Sequence, residues 1–209
     1  YYTIYYTVRD MDKIKAVSFG VGAIGGIVAR QILERKKWIE IVGAVDIDPK
    51  KVGKDLGEVI GLGKEVGVTV SDDPDEVLSK NEVDAVIHTT SSYFRKVYPE
   101  LEKIVEHGVN IVSSCEELSY PYIVDKELAE KLDKLAKQHE ATVLGTGINP
   151  GFLMDTLPIT LTGPCVEVNK VKVTRRMNAG TRRIPFQRKI GAGTVSYTHL
   201  RAHETRHDL

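Results

Sequence analysis

The sequence predicts an α/β fold: a doubly wound, mostly parallel sheet, followed by the start of a second α/β domain. Three observations predict it. Short apolar runs alternate with helical apolar spacing from Met11 to about residue 150, as buried strands joined by crossover helices do. A G-x-G-x-x-G turn closes the first of those runs. After Asn149 the pattern gives way to a short apolar helix and then an alternating segment.

Taken in order, residues 13–20, KIKAVSFG, suit a buried strand, and a helix follows over 26–36 with Ile24, Val28 and Ile32 at helical spacing. Residues 40–46 read as a second strand and 65–71 as a weaker third. Asp73 then Pro74 is an N-cap with proline at the first helical position, opening a short helix. Residues 83–90 form a strong fourth strand. The helix expected over 94–107 puts Val97, Leu101, Ile104 and Val105 on one face, and Gly108 stops it. Residues 110–116 read as a fifth strand, Leu128, Leu132 and Leu135 mark a helix ending near Glu140, and 141–147 read as a sixth strand. The boundary near residue 150 separates this first domain, 11–150, from an incomplete substrate and dimerisation domain at 151–194. That second domain opens with a helix over 152–161 and a strand over 166–178 with one wet face.

The 209 residues suffice for one core, or for one domain and part of another. Charged residues make up 28% and balance to a formal net charge of zero. That leaves no electrostatic footprint for nucleic acid or an anionic membrane. No apolar run is long enough to span a bilayer. Two cysteines, Cys115 and Cys165, make no disulfide framework and point to a reducing cytoplasm. Residues 1–10, YYTIYYTVRD, read either as a leader or non-native segment or as an extra N-terminal strand.

The glycine turn carries the first chemical signal. Gly20, Gly22 and Gly25, with Ala23 and Ile24 between the last two, close a strand and open a helix, which is the context a Rossmann-type phosphate cradle requires. Gly20 permits the tight turn, Gly22 lets the backbone approach a pyrophosphate, and Gly25 lets helix and strand pack closely. The phosphates would then meet the free N–H groups at the helix N-terminus. Asp46 ends the second strand near the interval expected for a ribose-binding acid, which favours NAD because a carboxylate repels a 2′-phosphate. Lys50 and Lys51 follow closely, so NADP stays open, although a solvated loop is the preferred reading of both lysines.

In such sheets ligands bind beyond the carboxyl ends of the strands. His88, Thr89, Thr90 and Ser91 end the fourth strand and are candidates for contact with the cofactor. A hydrogen-bonded core histidine is the commoner role for a residue like His88. Glu116 and Glu117 end the fifth strand; a carboxylate there can hold an ammonium group or take a proton from water. On an extended strand only one of the two would face the site. The bland alternative is that both cap the next helix or face solvent. Asn149 and Pro150 follow the sixth strand and line the same crevice.

Five stretches together make the chain resemble 2,4-diaminopentanoate dehydrogenase and the related native amine dehydrogenases. They are VDIDPKKVGKDLGEV at 45–59, IHTTSS at 87–92, CEELSYPY at 115–122, GTGINPGFLMDTLP at 145–158 and RRIPFQRKIGAG at 182–193. The GTGINPGFLMD and QRKIGAG segments are long enough to be specific; the glycine turn is not. The resemblance implies a dihydrodipicolinate reductase-like first domain, NAD(P)-dependent oxidative deamination of an amine or amino acid, and a homodimer at full length. It implies that Glu117 is catalytic, with Glu116 as the fallback, and that Arg176 and Asn178 line the substrate pocket. Arg176 suits a substrate carboxylate, although both residues also fit the wet face of a strand. The remaining candidates are a reductase like that of dihydrodipicolinate, an enzyme like homoserine dehydrogenase, and a dinucleotide-binding module without catalysis.

One motif points elsewhere. Residues 203–207, HETRH, match the H-E-x-x-H zinc signature, with His199 one turn upstream. The segment has little besides Leu200 and Ala202 with which to dock a helix on a core, and VSYTHLRAHET at 195–205 reads as a translated sequencing adapter. Residues 195–209 are therefore expected to be an adapter-derived tail, with no metal site. On the same reading the chain is expected to bind cofactor but turn over poorly.

Overall fold

Six short apolar segments assemble into one parallel sheet. They are β1 (Ile14–Phe19), β2 (Ile39–Val45), β3 (Val70–Ser71), β4 (Ala85–His88), β5 (Asn110–Ser113) and β6 (Val143–Gly145). Their spatial order is β3-β2-β1-β4-β5-β6, and every pairing is parallel. This is the computed structural model of the chain, and it describes residues 13–181 and 184–191. The segments expected to be a leader at 1–10 and a tail at 195–209 lie outside the described residues.

Helices α1 (Ala23–Arg35), α2 (Leu56–Val59), α3 (Pro74–Lys80), α4 (Phe94–Glu106), α5 (Pro121–Val124) and α6 (Lys126–Gln138) carry the crossovers. Further on come α7 (Leu157–Leu161) and α8 (Ile184–Lys189). Adjacent residues on a strand face opposite ways. Accordingly Val45 packs in one apolar cluster with α3, α4 and α6, while its neighbour Ala44 packs in another with Ala29 and Ile32 of α1 and Leu56 of α2. Both faces of the sheet are thus covered, as the doubly wound pattern requires. Phe94, Val97, Leu101, Ile104 and Val105 of α4 are fully buried, and each such side chain contributes about 1.5–3 kcal/mol relative to exposure.

Several boundaries follow from local chemistry. Asp73 accepts a hydrogen bond from Glu76 N–H at 3.1 Å, and Pro74 occupies the first turn of α3. Asp125 caps α6 in the same way through Leu128 N–H at 3.1 Å. Gly108, at φ +70°, ends α4 in the left-handed conformation that glycine adopts without strain.

Four expectations need correction. The first helix starts at Ala23 rather than near 26, because the glycine turn feeds directly into it. The third strand shrinks to two residues, since the Asp55 carboxylate accepts N–H bonds from Gly57, Val66 and Gly67 and gathers that stretch into a loop. The helix expected over 152–161 divides into a π-helical turn, Phe152–Thr156, and α7. Residues 166–178 are irregular rather than a strand. Their alternating pattern finds no partner strand among the described residues, and an unpaired strand is not stable alone.

The chain divides into two compact units, one running through Cys165 and the other beginning at Val166. No helix among the described residues is long and apolar enough to cross a membrane.

Candidate active site at the glycine turn

The strand order reverses between β1 and β4, and there the crossovers from the two strands leave to opposite sides. A crevice beyond the carboxyl ends of the strands results. The glycine turn forms its floor. Gly20, at φ +86°, donates its N–H to Val45 O at 2.8 Å. A Cβ on Gly25 would stand 1.8 Å from Gly20 O and 2.5 Å from Thr89 Oγ1, so no side chain fits. A Cβ on Gly22 would meet nothing within 4 Å. One glycine thus makes the turn, one leaves the backbone open, and one closes helix against strand. Ala23 and Ile24 are exposed at the start of α1. The first intrahelical bond is made by Gly26 N–H to Gly22 O at 2.8 Å, so the N–H groups ahead of it have no partner within the helix. The turn fits a pyrophosphate group: open backbone, a helix N-terminus, and no side chain in the way.

Asp46 is tied to the same turn. Its Oδ2 accepts from Val21 N–H at 2.8 Å and from Lys51 Nζ at 2.9 Å, and its Oδ1 accepts from Asp48 N–H at 2.9 Å. Burial works to raise its pKa, but the Lys51 ammonium and the two N–H groups outweigh it and hold the carboxyl below the usual carboxylate range. Lys51 is therefore a partner of Asp46 rather than a lysine of a solvated loop, while Lys50 is exposed. Asp46 stands where a ribose-binding acid belongs, with a cation beside it.

At the end of β4, Thr89 donates its N–H to Phe19 O at 2.8 Å and its hydroxyl to Gly20 O at 2.6 Å. Thr90 is exposed, and its methyl lies 2.9 Å from where a Cβ on Gly20 would stand. Ser91 is half-buried. Direct contact between the His88 side chain and a cofactor is ruled out by its position: the ring is 0% exposed. It lies 2.8 Å from Ser113 Oγ through Nδ1 and 2.7 Å from Glu100 Oε2 through Nε2.

The two glutamates also differ from expectation. β5 stops at Ser113, and Glu116 and Glu117 open a 3₁₀ turn, Glu116–Ser119. The alternation of an extended strand therefore does not separate them. Glu117 donates its N–H to Ser92 O at 3.2 Å, and its Oε2 accepts from Phe94 N–H at 2.7 Å. Tyr93, the N-cap residue of α4, provides no side-chain cap, and Glu117 supplies one from a distant part of the sequence. Burial pushes the neighbouring Cys115 thiol up against the opposing N–H groups of Leu118 and Glu117, and the charges of Glu117 and Glu116 add to the rise. β6 holds the turn from beneath: a Cβ on Gly145 would lie 2.6 Å from the Leu118 carbonyl. After β6, Asn149 is exposed and Pro150 half-buried, and Gly151 N–H donates to Asp155 Oδ2 at 2.7 Å. Arg176 and Asn178 are exposed in the second unit, where Asn178 Oδ1 accepts from Gly180 N–H at 2.9 Å.

Sequence reasoning missed Glu100 and Ser113 as partners of His88, and it read Lys51 as a loop lysine rather than as the partner of Asp46. Lys51 carried a signal, five residues after Asp46; the others are joined to His88 only through the fold.

Fold and site together define a doubly wound domain of the dinucleotide-binding class, with its crevice bounded by the glycine turn, the end of β4 and the turn after β5. The family model described as dihydrodipicolinate reductase, N-terminus, matches residues 14–146, and the chain belongs to that family. Among curated relatives, 2,4-diaminopentanoate dehydrogenase of Acetoanaerobium sticklandii is 40% identical over 173 residues, covering 81% of this chain and 47% of the relative. The chain spans about half the length of the curated relatives it matches. Among solved structures, an amine dehydrogenase from Mycobacterium smegmatis superposes with a TM-score of 0.66 at 41% identity, covering 72% of this chain and 44% of that one. The WlbA dehydrogenase from Bordetella pertussis, solved with NADH and UDP-GlcNAcA, shares the fold at 15% identity, with a TM-score of 0.52 over 71% of this chain and 42% of its own.

Proposed function

We propose that this chain is the cofactor-binding part of an NAD(P)-dependent amine dehydrogenase acting on 2,4-diaminopentanoate or a similar amine. The single observation that carries the reading is the 40% identity to 2,4-diaminopentanoate dehydrogenase, which extends over 81% of this chain. The overall change is amine plus water plus oxidised cofactor giving ketone, ammonia, reduced cofactor and a proton. Bound nicotinamide would supply the hydride acceptor. Residues 20–25 would hold the pyrophosphate, with the backbone of Gly22, Ala23 and Ile24 facing it. Asp46 would bind the ribose hydroxyls, which favours NAD, while Lys51 beside it keeps NADP within reach.

Glu117 is the catalytic base in this reading, and Glu116 its alternative. Phe94 N–H fixes Oε2 and so orients Oε1 to take a proton from the water that attacks the imine carbon. Thr90 and Ser91 would border the nicotinamide. Asn149, Pro150, Arg176 and Asn178 would contact the substrate, with Arg176 pairing its carboxylate. A homodimer and a cytoplasmic setting complete the proposal, the latter supported by the unpaired thiols of Cys115 and Cys165.

The test completes this chain with the C-terminal half of the Acetoanaerobium relative and supplies 2,4-diaminopentanoate with NAD⁺. NADH and ammonia are expected in equal amounts. NADH binding without any amine-dependent turnover contradicts the assignment.

A further inference from the structure

Beneath the crevice lies a side-chain line that the proposed reaction does not use. Ser113, His88 and Glu100 stand in the order of a nucleophile, a base and an orienting acid, at 2.8 and 2.7 Å. Nucleophilic catalysis does not fit, because Ser113 is 0% exposed and its Oγ already accepts from Cys115 N–H at 3.1 Å. What the line joins is more informative. On one side, Thr90 Oγ1 donates to the same Glu100 carboxylate oxygen that His88 Nε2 approaches. On the other, Ser113 Oγ holds the N–H of Cys115, the residue that opens the turn carrying Glu117.

The donors and acceptors close without a gap. The Glu100 carboxylate can only accept, so His88 Nε2 carries a proton and donates to it. Burial works to raise the Glu100 pKa, but the hydrogen bonds from His88 and Thr90 outweigh it and keep the group ionised. On the other nitrogen, Nδ1 pairs with the Ser113 hydroxyl, which can donate or accept there while its oxygen accepts from Cys115 N–H. No buried side-chain nitrogen or oxygen among the described residues lacks a partner. His88 and Ser113 at the centre of the line are fully buried, and a buried polar pair satisfied at each member fixes one geometry, while a partly broken one is costly. Two further contacts run between the same loops: Ser114 N–H to His88 O at 2.9 Å, and Glu117 N–H to Ser92 O at 3.2 Å.

We propose that His88 is a positioning residue. Through Nε2, which lies 2.7 Å from Glu100 Oε2 and 3.0 Å from Thr90 Oγ1, it sets Thr90 at the cofactor side of the crevice, and through Ser113 it sets the turn that carries Glu117. The inference rests on the proposed cofactor site, yet its test needs no amine turnover.

Two substitutions separate the arms, because an asparagine amide reaches the place of Nδ1 and a glutamine amide that of Nε2. H88N keeps the Ser113 side and H88Q the Glu100 side. The readouts are NADH affinity by fluorescence titration and amide hydrogen exchange at Cys115 and Glu117 by NMR, on the 209-residue chain. In H88N the NADH Kd is expected to rise at least fivefold, with exchange at the two amides rising less than threefold. In H88Q the order is expected to reverse, with exchange rising at least tenfold and Kd less than threefold. Equal losses in both readouts for both variants, in proportion to lowered melting temperature, would overturn the proposal. So would no change in either. If a His88 variant does not fold, E100Q and S113A carry the same split, E100Q following H88N and S113A following H88Q. Failure of the parent chain to bind NADH would instead count against the cofactor site itself.

Discussion

Glu117 caps α4 and is also the proposed base, and substitution separates the two roles. Its Oε2 accepts from Phe94 N–H at 2.7 Å at the start of a 13-residue helix whose first residue is fully buried. Removing an N-terminal acceptor of this kind costs about 1 kcal/mol, and losing the negative charge at the helix dipole adds about 0.5 kcal/mol. Glu117→Ala is therefore expected to destabilise by about 1.5 kcal/mol, a fall of about 3–6 °C in melting temperature for a chain this size. Glu117→Gln keeps a carbonyl oxygen for Phe94 N–H and loses only the charge, about 0.5 kcal/mol or 1–2 °C. A general base contributes about 10²–10⁴-fold to turnover, and 10²-fold is already about 2.7 kcal/mol of barrier. In the chain completed with the relative's C-terminal half, both variants should lose at least about 100-fold in kcat, while their melting temperatures differ. The assay pairs NADH formation with circular-dichroism melts. Turnover by Glu117→Gln within about threefold of the parent would refute the catalytic role and leave Glu117 as a helix cap alone.

Gly25→Ala places a methyl 1.8 Å from Gly20 O; overpacking against backbone is expected to cost about 3 kcal/mol, to lower the melting temperature by about 6–12 °C and to weaken NADH binding, read by titration. Gly145→Ala would press on the Leu118 carbonyl from 2.6 Å; faster amide exchange at Glu117 is the expected outcome, and unchanged exchange would show that the turn is held some other way. Asp46 and Glu100 both have lowered pKa values in the folded chain. Each therefore stabilises the fold fully above its unfolded pKa, about 4, and loses that contribution as pH falls through the folded value. Urea unfolding should show stability dropping below about pH 4, with a shallower drop in Asp46→Asn.

The sheet was legible because its signals are local. Val, Ile and Ala runs at 13–20, 40–46 and 83–90 sit where β1, β2 and β4 form, and the stops at Asp73 and Gly108 act through neighbouring backbone. The glycine turn was legible for the same reason, since spacing alone fixes which glycine makes the turn and which must pack. What escaped the sequence depends on contacts across the fold. His88 meets Ser113 and Glu100 from different elements. Glu117 caps a helix that begins far upstream of it. A single carboxylate, Asp55, turns an alternating stretch into a loop. The segment at 166–178 has the pattern of a strand, but pattern without a neighbouring strand does not make one.

The most direct measurement is a crystal structure of the 209-residue chain with NAD⁺. The pyrophosphate is expected on the backbone of Gly22, Ala23 and Ile24, the adenosine ribose on Asp46, and the nicotinamide ring beside Thr90 with Glu117 facing its reactive carbon. A cofactor bound away from residues 20–25, or one whose nicotinamide points away from the turn that carries Glu117, would contradict the proposed site and its chemistry together.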